Sequence, residues 1–233
     1  FFEDEFLGGQ IGISARGLFS LGAFSPDLLA GATRVITGLY RDAGFEGAQV
    51  EATYSIDQTV ITVVLRIEEG RRTSLAGVFF SGNTTMSDSE VALLGNMLPG
   101  PVYTAGAIEE ARSAITAGYH GRGFPNVRVE PAIDRRADQD GVDVTFRIEE
   151  GPAYQIGRIL VAGNTRTREK IVHRNSGLYE GTPYDPETIL EAQQRLYSTG
   201  LFNRVDIVTL EREASNKRDL LIQLEDAGPV LLT

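Results

Sequence analysis

The 233-residue sequence contains no cysteine and only two histidines, His120 and His173. The lack of cysteine excludes disulfides, thiolate metal sites and cysteine nucleophiles. Neither histidine is followed four residues later by a metal-type ligand, and neither has a serine in a Gly-x-Ser-x-Gly setting, so both are expected on helix surfaces. We therefore predict no catalytic residue, no bound metal and no cofactor.

Long apolar runs and an excess of positive charge are also missing. No stretch comes near the roughly 20 apolar residues of a membrane-spanning helix, and the N-terminus lacks the basic-then-apolar form of a signal peptide. Any targeting segment is expected outside this sequence. The 32 acidic residues outnumber the 22 basic ones, for a net charge of -10. Because an acidic surface repels polyphosphate, we predict no nucleic-acid partner.

What the sequence does contain is a repeat. Residues 66–70, Arg-Ile-Glu-Glu-Gly, recur as residues 147–151, which lie 81 positions later. Residues 80–84, Phe-Ser-Gly-Asn-Thr, recur in similar form as residues 161–165 at the same offset. A unit of this length is too long for a solenoid repeat and long enough for a small module with its own core.

The repeats predict three domains, which span residues 1–70, 71–151 and 152–228, with residues 229–233 beginning a linker. We call the three domains the first, second and third repeat. The first repeat is expected to lack the opening strand of the others and to hold its first helix within residues 1–22.

Each repeat is predicted to run strand, helix, helix, strand, strand. In the second repeat, an apolar strand near Leu75 to Ser81 leads to a turn, and a Ser87 to Glu90 capping box opens a short helix that ends near Asn96. The next helix carries one apolar stripe, at Ile108, Ala111, Ile115 and Tyr119. Val127 and Val129 begin a hairpin, a polar loop spans residues 134–141, and the residues from Val142 to Ile148 alternate.

The long helices of the other repeats have similar starts. Ser25-Pro26-Asp27 begins one that runs to about Asp42, and Asp185-Pro186-Glu187 begins another that is about one turn shorter than its counterparts. Gly44 and Gly123 are placed to end the first two of these helices.

This pattern resembles POTRA domains, the polypeptide-transport-associated modules of the BamA/TamA superfamily. The resemblance rests on the element order, on Gly-Asn after the first strand, on Tyr-x-x-x-Gly-Phe at residues 40–45 and 119–124, and on residues 196–202, Leu-Tyr-Ser-Thr-Gly-Leu-Phe. It implies an α+β fold of tandem β-α-α-β-β modules, each a three-stranded mixed sheet covered on one face by two helices.

The resemblance also implies a function. Such a chain would be a non-enzymatic periplasmic scaffold, tethered to the outer membrane of a Gram-negative bacterium by a C-terminal β-barrel of the same chain. Its partners would be unfolded outer-membrane client polypeptides and accessory periplasmic assembly proteins. It would hold clients by β-strand augmentation and assist their insertion or export.

The candidate polypeptide-binding edge is the first strand of each hairpin. Its residues are Gln49, Val50, Glu51, Ala52 and Thr53 in the first repeat, Val127, Arg128, Val129 and Glu130 in the second, and Arg204, Val205, Asp206 and Ile207 in the third. The alternative is that these strands only complete small sheets, with their charged side chains discouraging edge aggregation. Gly82, Asn83, Gly163 and Asn164 are predicted to form structural turns.

Two other functions are weaker alternatives. A hydrolase would use the acid pairs Glu68-Glu69 and Glu149-Glu150, but adjacent strand residues point to opposite faces and do not converge on one bond. These acids are expected to be solvated. A two-partner secretion or cell-division protein would use the same module for docking, but three modules in series favour an assembly factor.

Overall fold

The computed structural model describes residues 2, 26–57, 60–100, 102–136, 141–211 and 215–228. The helices are α1 (Pro26–Asp42), α2 (Asp88–Leu94), α3 (Ala105–His120), α4 (Glu169–Ser176) and α5 (Pro186–Ser198). The strands are β1 (Gln49–Asp57), β2 (Val60–Glu68), β3 (Ser74–Ser81), β4 (Arg128–Arg135), β5 (Gly141–Glu149), β6 (Gln155–Ala162), β7 (Phe202–Leu210) and β8 (Lys217–Asp226). The helix expected within residues 1–22 falls outside the described residues.

α2 and α5 begin where capping chemistry predicts. The Ser87 hydroxyl accepts from the Glu90 N–H, and the Glu90 carboxylate accepts from the Ser87 N–H, which completes the predicted capping box of α2. Asp185 caps α5 by accepting from the Glu187 N–H. α5 has 13 residues and α3 has 16, so the predicted one-turn difference is confirmed.

In the described ranges the strands form three sheets. β1 and β2 make a two-stranded antiparallel sheet, and the other two sheets have the orders β3-β5-β4 and β6-β8-β7. In the last sheet β8 is parallel to β6 and antiparallel to β7, so the sheet is mixed. The predicted α+β fold, with three-stranded mixed sheets and helices, is confirmed.

The chain divides into two compact units. The first comprises Phe1–Phe79, Met97–Glu110 and Ala132–Thr145, and the second comprises Phe80–Asn96, Ala111–Pro131 and Phe146–Thr233. The first contains a core cluster of Ile36, Tyr40, Phe45 and Ala48. The second contains a larger cluster, which includes Ile156, Val172, Leu178, Ala192, Leu196, Leu220 and Ile222.

The apolar stripe predicted for α3 is buried. Ile108, Ala111, Ile115 and Tyr119 are each at most 3% exposed. The predicted loop after β4 is shorter than expected, because the strand continues to Arg135 and β5 already begins at Gly141. β4 also begins at Arg128, one residue after the predicted start at Val127. Among the described residues, no helix combines the length and the apolar character that crossing a membrane requires.

Candidate functional site

Each strand predicted to bind polypeptide lies at the end of a sheet. β4 is the last strand in the order β3-β5-β4, and β7 is the last in β6-β8-β7. Within the described ranges β1 pairs with β2 alone. In an antiparallel pair, alternate residues direct their N–H and C=O groups away from the neighbour. These outward groups are the ones that a guest strand would use.

The opposite edges of the two larger sheets are partly covered. Ser74 in β3 forms an isolated antiparallel bridge with Val102, and Gln155 in β6 forms one with Pro183. The N–H of Ile156 also donates to the Thr182 carbonyl at 2.8 Å. Because the first residues of β3 and β6 already have these partners, β4 and β7 are the more open edges.

Side chains on the predicted edge alternate in burial. Gln49, Glu51, Thr53, Arg128, Glu130 and Arg204 are exposed, Val127, Val129 and Val205 are buried, and Val50, Ala52, Asp206 and Ile207 are half-buried. The exposed Arg204 donates from Nε to the Asp206 carboxylate at 2.6 Å. Recognition at such an edge would rest on the main chain, since many of the apolar side chains point into the core.

The predicted Gly-Asn turns have the same geometry in the second and third repeats. Gly82 and Gly163 have φ of 83° and 85°, and a Cβ on either would collide with a main-chain carbonyl oxygen, of Ile148 or of Leu224. The Asn83 side-chain amide donates to the Met86 carbonyl at 3.1 Å, and that of Asn164 donates to the Thr167 carbonyl at 2.9 Å. How much the two turns stabilise the fold stays a prediction.

An acid at the end of the last strand holds the loop after each of these turns. The Glu150 carboxylate accepts from the Thr85 N–H at 2.8 Å, from the Thr84 and Thr85 hydroxyls, and from the Tyr119 hydroxyl at 3.0 Å. The expectation that the Glu149-Glu150 pair is merely solvated is therefore wrong for Glu150.

The third repeat contains the equivalent contact. The Asp226 carboxylate accepts from the Arg166 N–H at 2.6 Å and from the Thr165 and Thr167 hydroxyls at 3.0 Å and 2.8 Å. Sequence reasoning missed both contacts. Their signal was an acid near the end of each last strand, together with threonines directly after each Gly-Asn pair.

These contacts lower the pKa of both acids. Burial raises the pKa of Glu150, but the hydrogen bonds from Thr84, Thr85 and Tyr119 together outweigh it, so the pKa lies below its ordinary value. The pKa of Asp226 is lowered chiefly by the N–H of Arg166, against a smaller opposing effect of burial. Both groups are therefore charged at neutral pH, and both act as loop anchors.

The junctions between consecutive repeats are tied by main-chain hydrogen bonds. Within the first compact unit, the Thr73 N–H donates to the Gly44 carbonyl at 3.0 Å, and the Thr73 carbonyl accepts from the Tyr103 N–H at 2.9 Å. Within the second unit, Tyr154 makes the same pair of bonds, to Gly123 at 2.7 Å and from Tyr184 at 2.9 Å. Thr73 and Tyr154 thus each donate one main-chain hydrogen bond and accept another at their junction.

The fold and the repeated motifs agree with the comparison with known families. The POTRA family, described as surface antigen variable number repeat, matches residues 74–151 and 154–226, which together make up more than half of the chain. The chain belongs to the POTRA family. The two consecutive matches coincide with the second and third repeats, so the predicted resemblance to tandem POTRA domains is confirmed.

Several similar proteins are outer membrane protein assembly factors named BamA. That of Nitratidesulfovibrio vulgaris is 24% identical over 225 residues, which cover 93% of this chain and 28% of the relative. That of Neisseria meningitidis serogroup B is 24% identical over 214 residues, which cover 88% of this chain and 27% of the relative. The chain therefore spans little more than a quarter of the length of either relative.

Solved BamA structures share the fold. POTRA3-5 of Haemophilus influenzae BamA superimposes with a TM-score of 0.55 at 19% identity, covering 88% of this chain and 82% of that one. BamA of Haemophilus ducreyi lacking POTRA domains 1-3 gives a TM-score of 0.58 at 17% identity, covering 66% of this chain and 29% of that one.

Proposed function

We propose that this chain is the periplasmic scaffold of an outer-membrane protein assembly factor. Support comes from the two POTRA matches and from the similarity to BamA proteins of several bacteria. As part of this proposal the chain is non-enzymatic and lies in the periplasm. Its partners are unfolded outer-membrane proteins, accessory assembly proteins and a membrane β-barrel of the same protein.

The proposed mechanism is strand addition to β4 and β7. The observation that carries it is the sheet order, which leaves each of these strands at an end while the opposite edges are bridged by Val102 and Pro183. Main-chain hydrogen bonds tolerate many guest sequences, as a scaffold for different clients requires. Each edge contact is weak, and binding one client at two repeats raises the overall affinity through effective concentration.

Successive proline substitutions in β7 test this mechanism. Asp206 and Ile207 pair with Gln223 and Ile222 of β8, and in an antiparallel ladder only one of two successive residues directs its N–H outward. Asp206→Pro and Ile207→Pro therefore differ in which donor is lost. The probe is an extended peptide of about ten residues with alternating apolar and polar side chains, the pattern of a membrane β-barrel strand.

One of the two proline variants should lose photocrosslinking to the peptide while its thermal unfolding midpoint stays close to that of the original chain. The other should mainly unfold at lower temperature, because it loses a hydrogen bond to β8. Val129→Pro and Glu130→Pro repeat the test in β4. Asp206→Ala is the matched control, since it keeps the main-chain donor and should keep the crosslink. Undiminished crosslinking in all four proline variants would exclude edge binding and favour docking on the helices.

A further inference from the structure

The segment from Arg166 to Arg174 differs in charge from its counterpart in the second repeat. It contains four arginine or lysine residues and one glutamate, for a net charge of +3. The equivalent residues 85–93 contain two acids and no base, for a net charge of -2. The whole chain has a net charge of -10, so the charge of this segment is opposite in sign to that of the whole chain.

The four cations of the segment are available to a partner. Arg166, Arg168, Lys170 and Arg174 all have exposed side chains, and in the described part of the chain none of the four side chains forms an ion pair. The His173 ring contacts Glu169, with its Nε2 atom 3.3 Å from the carboxylate. Lys170 and Arg174 lie four residues apart on α4 and therefore on one side of the helix.

Lys170 and Arg174 line a hollow beside α4. Its volume is about 440 Å³, and its wall includes Lys170, His173, Arg174, Tyr179 and Glu180. The Tyr179 side chain is 66% exposed. The Glu180 carboxylate, the acid in this wall, accepts from the Ile159 N–H at 3.3 Å. The hollow thus offers two free cations, a histidine and an exposed phenol ring.

We propose that this basic surface, defined by Arg166, Arg168, Lys170, Arg174 and Tyr179, binds the phosphate groups of an anionic phospholipid bilayer. Independent cations on long side chains suit the many phosphates of a lipid surface, and tyrosine suits the boundary between headgroups and acyl chains. The aliphatic residues of the wall, Ile159 and Leu178, are buried, so binding at this surface would rest on the cations and on Tyr179.

The inference rests on the proposed periplasmic function, because only a chain held beside the outer membrane would use such a surface. A bound bilayer would orient the third repeat, while the opposite charge of residues 85–93 would leave the second repeat off the membrane. The two proposals remain separable, since lipid binding is measured without client peptide and peptide capture is measured without lipid.

The test is cosedimentation of the 233-residue chain with vesicles of phosphatidylethanolamine, prepared with and without phosphatidylglycerol. Binding should require phosphatidylglycerol and should weaken as salt is raised. Each cation near an anionic surface is worth roughly a fivefold change in affinity, so Lys170→Gln with Arg174→Gln should weaken binding by about 25-fold. Arg66→Gln with Arg147→Gln removes the same charge from exposed, equivalent sites of the first and second repeats and should change binding little.

Three results would overturn the proposal. The first is that the chain binds vesicles equally well with and without phosphatidylglycerol. The second is that the control variant loses as much vesicle binding as Lys170→Gln with Arg174→Gln. The third is that the chain does not bind vesicles but binds soluble polyglutamate through Lys170 and Arg174. The last result would identify an acidic polypeptide as the partner. If the double glutamine variant unfolds, Ser89→Lys with Leu93→Arg places the two cations on α2, and vesicle binding should then increase. Both α2 positions are exposed.

Discussion

The N–H of Tyr154 donates to the carbonyl of Gly123 at 2.7 Å, and Thr73 makes the same bond to Gly44 at 3.0 Å. Each bond joins the third residue after a Glu-Glu-Gly stretch to the turn that ends the preceding long helix. The carbonyls of Tyr154 and Thr73 accept in turn from the N–H groups of Tyr184 and Tyr103, which precede the long helices of the third and second repeats. The chain thus uses one main-chain arrangement at both junctions, although the side chains of the two linker residues differ.

We predict that Gly123→Ala weakens the second junction. Gly123 has φ of 90°, and a Cβ there would collide with the Tyr154 carbonyl oxygen, so strain and a displaced Tyr154 are both expected. The unfolding free energy should fall by about 1–3 kcal/mol, the range for a residue forced into such a conformation. Gly121→Ala is the control, because its Cβ would meet only ordinary contacts at 3.6 Å. Equal melting temperatures for the two variants would contradict the prediction.

A second prediction concerns the turn after β6. Gly163→Ala should lower the unfolding free energy by more than about 2 kcal/mol, because it combines positive φ with a collision against the Leu224 carbonyl. Gly181→Ala separates the two effects, since Gly181 has φ of 82° and open space around it. Denaturant unfolding measures the loss of unfolding free energy in both variants. The difference between the two losses is the contribution of the close approach. A loss at Gly181 as large as that at Gly163 would show that close approach contributes nothing.

The repeated elements of the fold could be predicted because their signals are local. Helix caps, the apolar stripe of α3 and the alternation in β5 depend on neighbours a few residues away. The contacts of Glu150 could not be predicted in this way, because Thr84 and Thr85 lie 66 and 65 residues before it. The local sequence around a pair of acidic residues is the same whether a carboxylate is solvated or accepts hydrogen bonds from a distant loop. The candidate binding edge follows from the resemblance alone, and the openness of β4 and β7 depends on strand order.

The anchoring role of Glu150 predicts a pH-dependent effect. Its pKa is lower in the folded chain than in the unfolded chain, where glutamate has a pKa of about 4.3. Its stabilising contribution is therefore complete above the unfolded value and is lost as pH falls through the folded value. Glu150→Gln should lower the unfolding free energy by about 1 kcal/mol at neutral pH, since solvent reaches part of the carboxylate.

Below both pKa values, the difference between Glu150→Gln and the original chain should shrink towards zero. Glu149→Gln is the matched control, because this neighbouring side chain is exposed. Urea unfolding over a series of pH values measures both variants. A difference that stays constant down to low pH would show that the charge of Glu150 does not contribute to stability.

The last prediction concerns a buried carboxylate that the sequence did not indicate. The Asp219 side chain is 3% exposed and accepts from the Arg158 N–H at 2.8 Å and from its guanidinium at 3.0 Å and 2.7 Å. Arg158→Gln removes the guanidinium and leaves a buried charge with fewer donors, which is strongly destabilising when a pair is fully buried. The Arg158 side chain is 64% exposed, so we expect a smaller loss of about 1–2 kcal/mol. Arg204→Gln breaks the pair with Asp206, in which the side chains are 72% and 36% exposed, and should change stability by less than about 1 kcal/mol. Chemical denaturation of both variants measures the two losses of stability. Equal losses would mean that the burial of Asp219 does not increase the cost of removing its partner.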